Sequence, residues 1–188
     1  MKRKVFVVLA FLGVVLAPVG GLFGKADHAG WVGAVGMAVG GIAFPFAVTL
    51  VSRRLWPLFA GLLAGLFAVL AGMFFAPSLW LKVDAETLTG CEVVDERTVT
   101  STKSPSTTVS TVDCAGERFE IVPFTSSSEF VGKVGSETTL LVDRTGLLKP
   151  VRPSDVESAA VWVVPLAVLL QLALVVVVLR LPPPKEEK

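Results

Sequence analysis

The chain has 188 residues, 53% of them hydrophobic and 18% charged, with a mean hydropathy of +0.72 and a formal net charge of +1. Soluble domains carry about 25% charged residues, and here the shortfall is concentrated in four apolar stretches. A near-neutral chain with no long basic tract offers nothing for counterion-release binding to nucleic acid, so no nucleic-acid partner is expected.

A bilayer core of about 30 Å is crossed by about 20 consecutive apolar residues in a helix. Taken in chain order, residues 5–23, 30–51 and 55–81 meet that length, and residues 159–181 meet it again after a long polar interval. The first stretch follows Lys2-Arg3-Lys4 and so has the form of a signal peptide as well as of a span. The run is long for a signal core and no clean small-x-small cleavage site follows it, so a retained span is the reading adopted. Trp31, Trp56, Trp80 and Trp162 all fall near expected membrane boundaries, where amphipathic rings concentrate. Pro57 lies in the first turn of the third span, where its missing N–H costs little. Pro18, Pro45 and Pro165 lie inside spans and are expected to bend them.

Helices in lipid associate where small side chains let backbones approach. The third span repeats Ala60, Ala64, Ala68, Gly72 and Ala76 at a spacing of four, widened by Gly61 and Gly65. The second carries Gly33, Gly36, Gly40 and Gly41, and the first Gly13, Ala17 and Gly21. These stripes are expected to pack spans one to three into a tight bundle, with the fourth, mostly Leu and Val, at its edge. Docking of one stripe onto another subunit is the alternative. Gly36, Gly40, Ala60, Ala64, Ala68 and Gly72 are the expected packing residues. No Asp, Glu, Lys, Arg or His lies within a span core, and Gln171 is the one strongly polar side chain there. It is open whether Gln171 bonds a neighbouring helix or its own backbone.

Orientation follows from basic residues in short loops. With the N-terminus inside, the inner side holds Lys2, Arg3, Lys4, Arg53, Arg54, Arg180, Lys185 and Lys188, whereas the short outer loop holds only Lys25. The expectation is a multi-pass plasma-membrane protein with both termini cytoplasmic and residues 82–158 extracytoplasmic; residues 182–188 are a cytoplasmic tail.

Residues 82–158 change character: Thr, Ser and Val dominate, and 13 acidic against 8 basic residues give a net charge of −5. Period-two runs at 88–101, 107–114, 117–124, 137–143 and 147–151 predict about five strands, arranged as a small barrel-like or sandwich domain. Turn signals lie at Lys103-Ser104-Pro105-Ser106, Ala115-Gly116, 126–135 and Arg144-Thr145-Gly146. Val93, Val99, Phe119, Ile121, Phe124, Phe130, Val134, Leu140 and Val142 are the expected core. The only two cysteines are Cys91 and Cys114, and a hairpin setting them opposite each other turns at Thr102-Lys103, where the Ser/Pro cluster already signals a turn. A disulfide is expected, as is normal for a pair in an oxidising compartment.

The pattern Gly90-x-x-Val93-Val94, Gly116-x-x-Phe119, Val134-Gly135, Leu140-Leu141-x-Asp143, Pro150 and Pro153 resembles bacterial membrane proteins of unknown function that hold a small β-barrel-like domain between transmembrane helices. The resemblance covers about a third of the chain; it implies the fold and supplies no catalytic residue.

Chemistry finds little footing. Asp27-His28 and Ser126-Ser127-Ser128-Glu129 are the only suggestive groups, and nothing pairs a nucleophile with a base at a defined spacing. No catalytic, cofactor-binding or metal-binding residue and no cofactor is expected. The sequence points to an accessory or scaffolding membrane protein whose outer domain binds a membrane or envelope protein, with self-association also open. A subunit of an oligomeric transporter or channel is the alternative, and a membrane-embedded enzyme the third reading.

Overall fold

The computed structural model describes residues 2–26, 30–101, 104–121 and 133–181. Four helices, α1 (Lys2–Phe23), α2 (Gly30–Ser52), α3 (Trp56–Asp84) and α4 (Ala160–Arg180), are long and apolar enough to cross a membrane. Between α3 and α4 the chain forms β1 (Ala85–Ser101), β2 (Ser104–Cys114), β3 (Glu117–Ile121) and β4 (Glu137–Asp143), followed by a single 3-10 turn, Pro153–Asp155. The contacts divide the chain into two compact units, Met1–Trp80 with Ser158–Lys188, and Leu81–Glu157.

The helical unit is small inside and large outside. Phe59 and Leu63 are 67% and 71% exposed, whereas Ala17 is fully buried in a seam with Ala68, Ala71 and Ala167 from two further helices. That distribution suits lipid, which solvates Leu and Phe as well as a protein core does, so helices gain from close packing rather than from hiding large side chains. Glycines set the approach. A Cβ on Gly40 would lie 2.6 Å from the backbone nitrogen of Ala17, one on Gly20 2.6 Å from that of Met37, and one on Gly13 2.9 Å from the Cβ of Phe44. A Cβ on Gly21 would run into the backbone of Gly72 in α3. The fourth helix packs through one face, burying Ala160, Val164, Ala167, Gln171, Val175 and Val178 at spacings of three and four.

The other unit is one antiparallel sheet of order β3-β2-β1-β4. Its core side gathers Cys91, Val93, Val112, Cys114, Ile121 and Leu140, with Leu88, Phe119 and Val142 packed against them. Three expectations need correction. Among the described residues there are four strands where about five were expected: residues 147–151 contribute one bridge, Val151 to Leu141. The cause is the preceding turn, where Gly146 takes a positive φ of 67° and the Asp143 carboxylate accepts from the backbone N–H of Thr145, Leu147 and Leu148. Pro150 then offers no donor for a ladder. The described residues form an open sheet rather than a barrel or sandwich, because four strands are too few to close around a filled interior. Val134 is not core but 59% exposed; it sits at the tip of a turn in which Ser136 N–H bonds the Lys133 carbonyl and Gly135 has φ 87°. Phe124, Phe130 and the turn residues Thr102 and Lys103 lie outside the described residues, as do 122–124 of the third run.

The hairpin pairing explains why the cysteines could be matched from their positions. Cross-strand partners run Val93 with Val112 but Asp95 with Thr111, and later Val99 with Thr107 but Ser101 with Ser104. The first slip adds a residue to β1 and the second adds one to β2, so they cancel across the hairpin.

The close glycine contacts generate a direct test. Gly40→Ala and Gly20→Ala each force a methyl into facing backbone and are expected to cost at least about 1–3 kcal/mol, lowering the thermal midpoint of the full chain in mild detergent. Ala34→Leu, on an exposed face of α2, is expected to leave that midpoint unchanged.

Candidate functional site

In an antiparallel sheet, residues paired across strands share a face, so the register assigns the side opposite the core. Glu92 on β1 stands between Glu137 on β4 and Asp113 on β2. Asp113 in turn faces Arg118 on β3. One step along the same face, Asp95, Thr111 and Glu120 form a second row. Around these rows the described face carries the carboxylates Glu92, Asp95, Asp113, Glu120 and Glu137 and the guanidiniums Arg97 and Arg118, with the buried Val109 opposite Arg97 and the buried Asp143 at the end of β4. Both arginines are engaged: Arg97 binds Glu120 at 2.6 Å and Arg118 lies 3.5 Å from Asp113. Asp113 also accepts the Gly116 N–H at 2.8 Å, which closes the β2–β3 turn. Glu92, Asp95 and Glu137 are exposed. Like charges directly opposite each other on a sheet are unfavourable, so the Glu137–Glu92–Asp113 row stores repulsion that a cationic surface would relieve.

The opposite side is held by a disulfide joining Cys91 and Cys114, with Cα atoms 4.3 Å apart. That separation suits the closely spaced type of antiparallel pair, in which opposing side chains meet most directly. Cys91 is also the partner of Thr138 on β4, so the bridge anchors β2 to the middle of the sheet. Asp143 supplies a second anchor: buried at the end of β4, it accepts from three backbone N–H groups and the Thr145 hydroxyl. Arg152 and Asp155 close the segment before α4 with two contacts of 3.1 and 2.9 Å.

In the helical unit, Ala68 lies in the alanine seam, and Ala64 packs against the cluster around Phe44. Gly40 lies against Ala17, Gly36 near Gly20, and Gly72 against Ala17 and Pro18. Ala60 and Ala64, with Leu63, Phe67, Leu170 and Leu174, line a shallow apolar groove of about 320 Å³. Gly20 and Ala71 also build the interior but were not singled out from the sequence; Gly20 lies three residues after Ala17 and seven after Gly13, on the same helix face, which was the available signal. Gln171 is fully buried, and neither of its polar atoms has a hydrogen-bond partner among the described residues. An unpaired buried amide costs about 1–3 kcal/mol. Asp27-His28 and Ser126 to Glu129 lie outside the described residues. Among the described residues no group of three or more His, Cys, Asp or Glu is placed to hold a metal ion.

Comparison with protein-family models, with curated proteins and with solved structures finds no match to this chain. The resemblance to membrane proteins with a small inserted β domain therefore rests on its short motifs alone.

Breaking the bridge should expose how much the sheet depends on it. With the two cysteines at a sequence separation of 23, the chain-entropy relation gives a contribution of roughly 3 kcal/mol. Cys91→Ala with Cys114→Ala is expected to make residues 82–158 protease-sensitive at a lower temperature while the helices stay inserted. Peptide mapping without reductant should recover the two cysteine peptides linked.

Proposed function

We propose that the chain is an accessory or scaffolding integral membrane protein whose β unit engages a neighbouring membrane or envelope protein at the extracytoplasmic surface. The observation that carries this reading is the open, acid-rich sheet face, with Glu92 flanked on both sides by carboxylates. Such a face attracts a basic protein surface and is repelled by anionic lipid headgroups. The helices give it an anchor: they are long and apolar enough to cross a membrane, and the chain passes from α3 at Asp84 to β1 at Ala85 with no intervening residue. The orientation assigned to this anchor rests on the basic residues flanking the helices on one side, Lys2 to Lys4, Arg53, Arg54 and Arg180, against Lys25 on the other.

Two measurements test this reading. Cysteines introduced one at a time at exposed positions, Thr145 in the β unit and Leu55 in the α2–α3 loop, are expected to differ on intact cells. Thr145→Cys should react with an impermeant thiol reagent, and Leu55→Cys only after permeabilisation; the reverse pattern would invert the orientation. For the binding face, a photoreactive residue placed at Thr111 in cells should form discrete adducts with another envelope protein. Glu92→Lys combined with Glu137→Lys should reduce those adducts at least tenfold without loss of the folded protein. Adducts unaffected by the charge reversal would refute the proposed use of this face.

A further inference from the structure

The chain contains a single side-chain carboxamide, having no Asn and one Gln. That residue, Gln171, lies at the middle of α4 with both polar atoms buried and without a hydrogen-bond partner among the described residues. The structure makes no bond from it to its own helix. Its surroundings are otherwise apolar. On one side along α4 is Ala167, clustered with Ala17 of α1 and with Ala68 and Ala71 of α3. On the other is Val175, clustered with Ala10 and Val14 of α1 and with Phe44 of α2.

These clusters give the alignment of α4 against α1. Ala17 shares a cluster with Ala167, while Val7 and Ala10 line one cavity with Val175, Val178 and Leu179, so the helices run antiparallel. Interpolating between these two contacts brings Gln171, midway between Ala167 and Val175, to the level of Val14, midway between Ala17 and Ala10. Val14 has a distinctive backbone. In an α-helix its carbonyl would accept from the N–H four residues on, but that residue is Pro18, inside α1, which has no N–H to give. One buried donor lacking an acceptor therefore stands level with one carbonyl lacking its helical donor. Pro45 similarly frees the Gly41 carbonyl in α2, but that oxygen is turned to α3, 3.1 Å from where a Cβ on Gly65 would sit.

We propose that the Gln171 Nε2–H donates to the Val14 carbonyl. The terminal torsion of glutamine is broad and soft, so the amide can be redirected without moving the helix. Gln171 is then a positioning residue that sets the rotation and depth of α4 against α1, whose clusters with it on either side are apolar.

The uniqueness of the carboxamide supplies the probe. Uniformly ¹⁵N-labelled full-length protein in mild detergent has one side-chain NH₂ pair. It is expected to show one downfield proton, slow exchange with water, and cross-relaxation to Val14 and Pro18 protons. Pro18→Ala, which returns a helical N–H to the Val14 carbonyl, should abolish the downfield shift, and Pro45→Ala should leave it in place. Cross-relaxation to water alone, contacts to α2 that respond to Pro45→Ala, or indifference to Pro18→Ala would each overturn the assignment. Should Pro18→Ala not fold, Gln171→Met decides: it keeps length and volume but removes the donor. A lowered thermal midpoint supports the bond. A raised one refutes it, because replacing an unpaired buried amide by an apolar group relieves a penalty.

Discussion

Two helices in lipid gain little by hiding apolar surface from each other, since the lipid is as apolar as they are. What holds them is dispersion between closely spaced atoms, which weakens sharply when a gap opens. Approach distance is therefore the controlling quantity in the helical unit, and glycine controls it. Where Gly13 faces Phe44, the absence of a side chain on α1 admits one of the largest fully buried side chains of the protein. Where Gly40 faces Ala17 and Gly20 faces Met37, the two backbones come almost into contact. With α1 and α2 so close, the alanines of α3 and α4 can reach Ala17, and the large aliphatic side chains are left to face outward.

The β unit works under the opposite conditions. About 75 residues make a marginal core in water, and among the described residues six side chains form its buried cluster. It compensates with constraints that do not depend on area. The Cys91–Cys114 bridge restricts the unfolded chain, and Asp143 turns a charge that would be costly to bury into the organiser of a turn by accepting several hydrogen bonds at once. The buried cluster gathers on one face of the sheet, and most of the carboxylates between Glu137 and Glu120 stand on the other.

The helices and the cysteine pairing were legible because each depends on a local property: run length, or two residues equally far from a turn. The fifth strand was misread because alternation in 147–151 says nothing about donors, and Pro150 together with the Asp143-organised turn leaves room for one bridge only. Val134 looked like core by hydropathy, but its position beside Gly135 places it on a turn. The acid-rich face was invisible for a different reason. Glu92, Asp113 and Glu137 lie on three strands, and which face each occupies depends on slips in register that no periodicity reveals. The burial of Gln171 was foreseeable from its place in α4; its lack of a bond to its own helix was not.

The two slips in the β1–β2 hairpin have a further consequence. Because they are opposite in sense, a straight ladder between the same cysteine pair and the same turn is also geometrically available. In that alternative Asp95 moves opposite Ser110, and Asp95 and Arg97 move to the core side. Neither the disulfide nor the turn can distinguish the two ladders, since both ends coincide. The choice falls to contacts in between, among them the 2.6 Å contact of Arg97 with Glu120, which exists only when Arg97 lies on the polar face. That exposed ion pair is ordinarily of small energetic weight, and it adds to the larger cost of carrying Asp95 and Arg97 to the side of the buried cluster.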